Sequence, residues 1–499
     1  MKAFLLYKDQ DFDLQRNLPS NELALTQDLE LETLFTAMAL DDKVLFEVAR
    51  KVVLSSLNDA DSIHYRQDVL KDCLKNPGIV REMYDLAVES IEKEKTTFLG
   101  IFSNYPSTIL HRSVDVLQLF VGQLKRLRNI ADEHANEFVS EGFTRFFAML
   151  KAELDEGYFT TIQHHLKTLA FRDGVLISAE LGKGNKGRNY VLRKTHGKQG
   201  LMKRVFTKRS PSYSFSISER DESGAKALSE LRDRGINLVA NALAQSTDHI
   251  VSFFTMMRTE LAFHVGCLNL ANRLAGKGEP TSFPEPVQAG DNSLSFRGLY
   301  DACLTLHMAQ RVVGNDTNAD GRALVIITGA NHGGKSTLLR AIGLAQLMMQ
   351  CGMFVPAESF RSNVCDGIFT HYKREEDASM KSGKLDEELK RMSEIVDHLT
   401  SNSLLLFNES FAATNEREGS EIARQIVRAL SEKRIRVFYV THLHDFAHSF
   451  FDRKMENAIF LRAERKSNGA RSFKIFEGEP LETSFGEDLY RKVFGTGND

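Results

Sequence analysis

The stretch Leu324-Val325-Ile326-Ile327-Thr328-Gly329-Ala330-Asn331-His332-Gly333-Gly334-Lys335-Ser336-Thr337 decides how this chain is read. Its apolar opening predicts a buried strand. The G-x-x-x-x-G-K-[ST] pattern that follows predicts a phosphate-binding loop running into a helix. Gly329, Gly333 and Gly334 let the backbone curl so that amide N–H groups meet phosphate oxygens without interference from a Cβ. Lys335 offers a cation to the β- and γ-phosphates and Ser336 a hydroxyl to Mg²⁺. The helix starting at Ser336 directs the positive end of its dipole at the same anion. The alternative is a glycine-rich turn that binds nothing, and the strand before it and the helix after it argue against that. The pattern therefore predicts a nucleoside triphosphate site built from Gly329, Ala330, Asn331, His332, Gly333, Gly334, Lys335, Ser336 and Thr337.

Downstream, strand and helix patterns alternate. Leu404-Leu405-Leu406-Phe407 and Val437-Phe438-Tyr439-Val440 predict further buried strands of a mostly parallel sheet wrapped by helices. They deliver Asn408-Glu409 and Thr441-His442 to the carboxyl edge, where such sheets bind ligands. Hydrolysis needs a metal-side group and a group that activates water, usually at the end of a strand neighbouring the loop, and Asn408 and Glu409 take those roles. A Glu after a strand is ordinarily a surface residue; the phosphate loop in the same region turns the reading toward catalysis. Asn408 brings an amide oxygen but no charge to Mg²⁺, which predicts weak metal support and slow turnover. His442 is a candidate γ-phosphate contact. Zinc at His442 and His444 is disfavoured, since no further Cys or His stands at ligand spacing nearby. Residues 457–462 and 472–476, flanking Ser467-Asn468-Gly469, predict a hairpin at the sheet edge.

Upstream, residues 29–112 carry helical apolar spacing, with Asp59-Ala60-Asp61-Ser62 as a helix start and Asn76-Pro77-Gly78 as a stop. Leu117, Phe120, Val121, Leu124 and Leu127 form one core stripe, and Phe143, Phe146, Phe147 and Leu150 another. Between residues 174 and 218 the helical period gives way to short alternating runs, Val175-Leu176-Ile177 and Tyr213-Ser214-Phe215-Ser216-Ile217, which predict a small β insertion. Helical pattern returns over residues 224–276 with a break expected near Asp248, as in paired antiparallel helices. Pro280, Pro284 and Pro286 mark a boundary. The expected organisation is an N-terminal helical region 1–112, a helical domain 113–292 holding the insertion, and a nucleotide domain 293–499.

Composition narrows the class. A chain of 499 residues predicts more than one domain, and 67 Asp and Glu against 64 Lys and Arg require any nucleic-acid surface to be local. Cys73, Cys267, Cys303, Cys351 and Cys365 lack C-x-x-C spacing, which argues against a disulfide framework or structural zinc and favours a reducing cytoplasm. The apolar stretch at the N-terminus is too short for a signal peptide and no run of eighteen apolar residues occurs, so no membrane partner is expected.

These residues resemble the MutS family of DNA-repair ATPases. Thr328 to Thr337 is similar to the family's T-G-P-N-M-G-G-K-S-T, departing at Ala330 and His332. Gly352-Met353-Phe354-Val355-Pro356-Ala357 resembles G-x-F-V-P-A, and Asp366-Gly367-Ile368-Phe369-Thr370 resembles D-x-I-F-T-R with His371 in the arginine place. Asn408-Glu409 and Thr414-Asn415-Glu416-Arg417-Glu418-Gly419 stand where the family has D-E and G-T-S-T-x-D-G; Thr441-His442 matches its T-H switch and Ser484-Phe485-Gly486 its S-Y-G. Tyr65-Arg66-Gln67-Asp68-Val69-Leu70 is similar to the segment opening the family's helical lever domain. The resemblance implies a multidomain α plus α/β fold, a lever-like helical domain with a β insertion followed by an ABC-type ATPase domain with a C-terminal dimerisation helix. It also implies ATP with Mg²⁺ bound at Ser336 and Asn408, a homodimer, and Ser382 of the loose S-T-F-x-x-E counterpart acting across the dimer. No early F-x-E mismatch wedge and no nuclease-like C-terminal extension is present in the sequence, and the stretch Val312-Val313-Gly314-Asn315-Asp316 leaves the adenine-stacking residue open.

Residues 181–210 carry Lys183, Lys186, Arg188, Arg193, Lys194, Lys198, Lys203, Arg204, Lys208 and Arg209 with no acidic residue. A charge run is usually a solvated surface, but MutS-like proteins carry their DNA clamp within such an interruption of long helices. Lys203, Arg204, Lys208 and Arg209 are thus candidates for DNA backbone contacts that read no sequence. Tyr190, Phe206, Tyr213 and Phe215 fit either stacking on bases or the core of a small sheet. Three classes of function follow: an ATP-dependent DNA clamp working without the usual mismatch wedge, another ABC-type ATPase of chromosome maintenance or the ribosome, and a nucleotide-dependent scaffold with little turnover.

Overall fold

The computed structural model describes residues 1–98, 105–171, 174–194, 213–288, 290, 292–374, 383–466 and 470–481. The fold is multidomain, α plus α/β. The chain divides into two compact units, one of Met1–Ala3, Arg81–Glu137 and Thr144–Arg258, the other of Phe4–Val80, Phe138–Phe143 and Thr259–Asp499.

In chain order the first helices are α1 (Glu22–Asp28), α2 (Leu31–Ala39), α3 (Lys43–Leu54) and α4 (Ala60–Lys75). Asp42 and Asp59 cap α3 and α4 by accepting backbone N–H groups, Asp59 from Ser62 as its position ahead of an apolar stripe predicts. Asn76 ends α4, and Pro77 opens α5 (Pro77–Phe98) where its missing N–H costs nothing. Then come α6 (Pro106–His134), α7 (Glu141–Glu153), α8 (Glu156–Leu169), the strands β1 (Leu176–Leu181) and β2 (Gly187–Arg193), and α9 (Glu222–Ala275). The predicted core stripes are buried at Leu117, Phe120, Val121, Leu124, Leu127, Phe143, Phe146, Phe147 and Leu150.

Within the first unit, β1 and β2 pair antiparallel, and Ile236 and Ala240 of α9 share a small core with Leu110 of α6, Val175 and Leu192. Gly235 lets α9 lie against β1, since a Cβ there would come within 2.5 Å of Ile177. Two expectations fail here. α9 is one continuous helix of 54 residues, with no break near Asp248: no Gly or Pro interrupts that turn, and the exposed Asp248 sits on a solvent face that tolerates it. Residues 213–218 form no strand, and Tyr213 and Phe215 stand 93% and 82% exposed, so they do not pack a small core. Residues 195–212 of the insertion, with Lys203, Arg204, Lys208, Arg209 and Phe206, lie outside the described residues.

The second unit holds two sheets. Its remaining elements are β3 (Glu285–Val287), β4 (Leu294–Leu299), α10 (Ala302–His307), β5 (Asn315–Asn318), β6 (Leu324–Gly329), α11 (Lys335–Gln350), β7 (Ser359–Asn363) and β8 (Gly367–Tyr372). They continue with α12 (Lys384–Val396), β9 (Ser403–Asn408), α13 (Glu416–Glu432), β10 (Arg436–Val440), α14 (His444–Phe451), β11 (Ala458–Arg465) and β12 (Arg471–Glu477). The six-stranded sheet has the order β12-β11-β6-β10-β9-β8; β11 and β12 pair antiparallel and the other neighbours parallel. The predicted hairpin is thus present at the sheet edge. A four-stranded sheet, β3-β7-β4-β5, was not anticipated, and the proline-bearing segment supplies β3 to it.

The central strands are apolar on both faces because both are covered. On one face Leu405, Phe407, Val437 and Tyr439 pack with Ala423, Val427 and Leu430 of α13 and Phe446 and Phe450 of α14. On the other, α11 comes so close that a Cβ at Gly343 would meet Leu29 and Leu406 side chains at 2.8 Å. Gln350 at the end of α11 exchanges backbone and side-chain hydrogen bonds with Leu57, tying the N-terminal helices to the helix that covers the six-stranded sheet within one unit. Burial of α11 and of β6, β9 and β10 makes the sheet edge a rigid platform.

Candidate active site

The strand β6 is buried along its whole length and ends at Gly329, whose φ of 105° begins the loop. His332 and Gly334 continue it at φ 57° and 91°, so the turn runs repeatedly through the left-handed region that a tight anion-facing loop requires. Gly329 and Gly333 are needed for a second reason. The loop lies against β11, where a Cβ on Gly333 would stand 2.7 Å from the Ala463 Cβ and one on Gly329 2.9 Å from the Ala463 amide nitrogen. Ala330 is buried, Asn331 and Thr337 are half-buried, and His332 is exposed.

Lys335 opens α11 and folds back over the loop, its ammonium donating to the carbonyls of Gly329 at 2.9 Å and Ala330 at 3.0 Å. Burial brings its pKa down to about 8, the Glu409 carboxylate opposing and Arg471 adding to the fall. A buried cation held at the mouth of a glycine loop is electrostatically poised for an anion. Next to it, the Ser336 hydroxyl donates to Asn408 Oδ1 at 2.8 Å.

Asn408 closes β9 and Glu409 follows it at the carboxyl edge. The strand β9 is not the immediate neighbour of β6, as supposed for the metal-side pair; β10 lies between them. The consequence is that Thr441-His442, just past the end of β10, stands between loop and carboxylate. Thr441 N–H bonds the Ile327 carbonyl at 3.1 Å, and His442 Nε2 lies 2.7 Å from Glu409 Oε1. His442 therefore meets Glu409 directly, and that hydrogen bond holds the Glu409 carboxyl below the ordinary range against the opposing effect of burial. Ser336, Asn408, Glu409, His442 and Lys335 are brought to one sheet edge. Ser382 lies outside the described residues, as do Ser484, Phe485 and Gly486 and the expected C-terminal dimerisation helix.

Three neighbours went unrecognised in the sequence. Arg471 of β12 donates from Nε to the Asn331 carbonyl at 3.2 Å. Phe473, half exposed with a φ of 60°, packs its backbone near Gly334. Asn315 receives the Ile475 N–H at 2.8 Å and donates to the Phe473 carbonyl at 3.2 Å, fixing β12 beside β5. None of these carries a motif: the hairpin is remote in sequence from the loop and reads as an ordinary amphipathic pair. Of the resemblance-bearing segments, Phe354, Val355 and Ala357 are buried, while Asn415 caps α13 by accepting the Glu418 N–H. His371 is buried against Phe407 and Phe411, and burial lowers its pKa to about 4. Among the described residues no group of His, Cys, Asp and Glu is arranged to hold a metal by itself, and no helix is long and apolar enough to cross a membrane. The five cysteines are buried and unpaired by disulfides.

The donor set fits a Mg²⁺-nucleotide in kind: a glycine cradle that Cβ atoms would fill, a buried ammonium, and a hydroxyl and an amide oxygen side by side. The profile described as the MutS2 N-terminal domain matches residues 58–277, and that described as MutS domain V matches residues 325–492. The DNA mismatch repair protein MutS of Parabacteroides distasonis is 30% identical over 188 residues, which cover 36% of this chain and 22% of that protein. The endonuclease MutS2 of Lacticaseibacillus casei is 31% identical over 204 residues, 40% of this chain and 25% of the relative. The MutS of Porphyromonas gingivalis is 35% identical over 176 residues, 32% of this chain and 19% of the relative. The matches thus span a quarter or less of these relatives' length. With a match to the MutS2 N-terminal domain and a match to MutS domain V joined in one sequence, the chain belongs to the MutS family.

Proposed function

We propose that this protein is an ATP-dependent DNA-binding protein of MutS type, in which residues 293–499 bind and hydrolyse ATP and the helical regions with the basic insertion act as a clamp on DNA. The observation that carries the reading is the convergence of Lys335, Ser336, Asn408, Glu409 and His442 on one edge of a buried parallel sheet. Loop amides and Lys335 take the phosphates. The half-exposed Phe473 beside Gly334 offers the base an aromatic face. Ser336 and Asn408 are the groups that would hold Mg²⁺, which when bound neutralises phosphate charge during transfer. Glu409, ionised and oriented by His442, orients and deprotonates the attacking water.

DNA contact through Lys203, Arg204, Lys208 and Arg209, pairing of two copies, and action of Ser382 on the partner's nucleotide complete the proposal. The relatives' names, a mismatch repair protein and an endonuclease, support a DNA substrate. A second reading, a nucleotide-dependent scaffold that hydrolyses slowly, is favoured by the neutral Asn408 engaged with Ser336. ATP hydrolysis by the purified protein, measured with and without DNA, separates the two. Turnover stimulated by DNA supports the clamp; tight ATP binding without turnover supports the scaffold; no nucleotide binding overturns both.

A further inference from the structure

Glu409 and Phe411 both occupy the left-handed region, at φ 53° and 61°, although neither is glycine. Such a turn persists only where its surroundings over-determine it. Here they do. The Tyr439 hydroxyl donates to the Ser410 carbonyl at 2.8 Å, and the Phe411 N–H donates to Glu388 Oε2 at 2.8 Å. The Ser410 hydroxyl lies 2.5 Å from the His371 carbonyl and 2.7 Å from its Nδ1, while His371 Nε2 lies 2.9 Å from the Glu388 carbonyl. A carbonyl only accepts, so the ring carries a proton on Nε2 toward Glu388, while the single Ser410 hydroxyl proton serves the His371 carbonyl or its Nδ1, one at a time. The imidazole also stacks on Phe411, ring centroids 5.2 Å apart and planes within 22°. From the other side α13 presses so closely on the Phe411 carbonyl that Gly419 has no room for a Cβ.

Glu388 thus grips the turn twice, through its carbonyl on His371 and its carboxylate on Phe411. It sits on α12, and one turn further along the same helix Arg391 donates twice to the Tyr372 carbonyl at 3.1 Å. His371, Ser410 and Glu388 are all buried. A network this closed is specific to a task, because each half-satisfied member would cost more than an apolar replacement.

We propose that Glu388 and His371 are positioning residues for Glu409, and that the seating of α12 against the turn 409–411 determines whether the catalytic carboxylate stands beside His442. The proposal rests on the ATP-hydrolysis reading above. It gives α12 a role that its surface position does not advertise: displacing the helix releases the Phe411 N–H and the His371 ring together, and the left-handed turn relaxes, taking Glu409 with it.

Steady-state ATP hydrolysis and equilibrium ATP binding of Glu388→Ala, Glu388→Gln and Tyr439→Phe test this, with Glu409→Gln as the control. Glu388→Ala is expected to lower kcat on the order of a hundredfold while ATP affinity stays within about twofold, the loss a small misplacement of a catalytic group produces. Glu388→Gln retains an acceptor for Phe411 and restores most of the rate. Tyr439→Phe removes one hydroxyl without volume change, and a kcat roughly tenfold lower is expected. It carries the test should Glu388→Ala fail to fold. Wild-type kcat in Glu388→Ala, or in Tyr439→Phe where only that variant folds, alongside an inactive Glu409→Gln, overturns the positioning role alone. Turnover indifferent to Glu409→Gln, or absent from the wild type, overturns the hydrolysis reading and this inference with it.

Discussion

Ser336 and Asn408 are joined by a 2.8 Å hydrogen bond, the hydroxyl donating to the amide oxygen across the intervening strand β10. The two oxygens proposed for Mg²⁺ are therefore satisfied by each other, and metal binding has to displace that bond without gaining a charged ligand. Asn408→Asp is expected to lower the Mg²⁺ concentration giving half-maximal turnover on the order of tenfold, the effect of about 1.4 kcal/mol of added attraction. The gain should appear at limiting and not at saturating Mg²⁺. Should the added charge instead repel Glu409 and raise its pKa, activity falls at every metal concentration, and the amide is then an accommodated part of the site.

The Glu409–His442 pair makes a prediction about pH. His442 holds the Glu409 carboxyl below its ordinary value, so the carboxylate form survives into acid and is lost only as pH falls through that lowered value. The stability the pair contributes follows the same course, present above the unfolded carboxyl's pKa and lost below the folded one. His442→Ala is expected to move the acid limb of the kcat profile to higher pH. Glu409→Ala should keep ATP affinity and lose turnover by roughly 10²- to 10⁴-fold. An acid limb that stays in place in His442→Ala would show that another group sets it.

Lys335 titrates near the working range because it is buried, with a pKa of about 8. Bound phosphate raises that value by direct charge attraction, so ATP affinity should be full below about pH 8 and decline above it. Lys335→Ala should abolish ATP binding while leaving thermal stability within about 1 kcal/mol, since it removes a cation that burial already disfavours. Nucleotide titrations across pH decide the first point, and titration of the variant the second; unchanged affinity in Lys335→Ala refutes the phosphate-loop assignment.

Reversing Lys203, Arg204, Lys208 and Arg209 to Glu should weaken DNA binding equally on all sequences. The slope of log affinity against log salt should flatten by about 3.6 if all four contact phosphates, at about 0.9 per contact. ATP affinity should stay unchanged. Equal DNA affinity in both proteins returns the segment to a solvated surface.

The strand, glycine turn and helix start were legible because local geometry leaves few residue choices there: glycine stands where Ala463 crowds the backbone, and Lys335 opens the helix folded back over that turn. The three buried strands were equally legible, as continuous apolar runs covered on both faces. The helix start at Asp59 and the helix stop at Asn76-Pro77 were legible for the same local reason. Polar residues misled where context prevailed: Asp248 did not break α9, and the aromatic alternation at residues 213–218 did not make a strand.

What local pattern determines is what depends on neighbours in the chain: strand, loop, helix start and the chemical kind of the site. Tertiary structure alone decided the strand order that puts His442 between Lys335 and Glu409, the approach of Arg471 and Phe473, and the grip of Glu388 and His371 on the turn beyond Asn408. Those contacts join segments far apart in sequence. Their energy comes from hydrogen bonds and packing that exist only after the sheet has closed, and no residue type or spacing along the chain encodes which partner will be there.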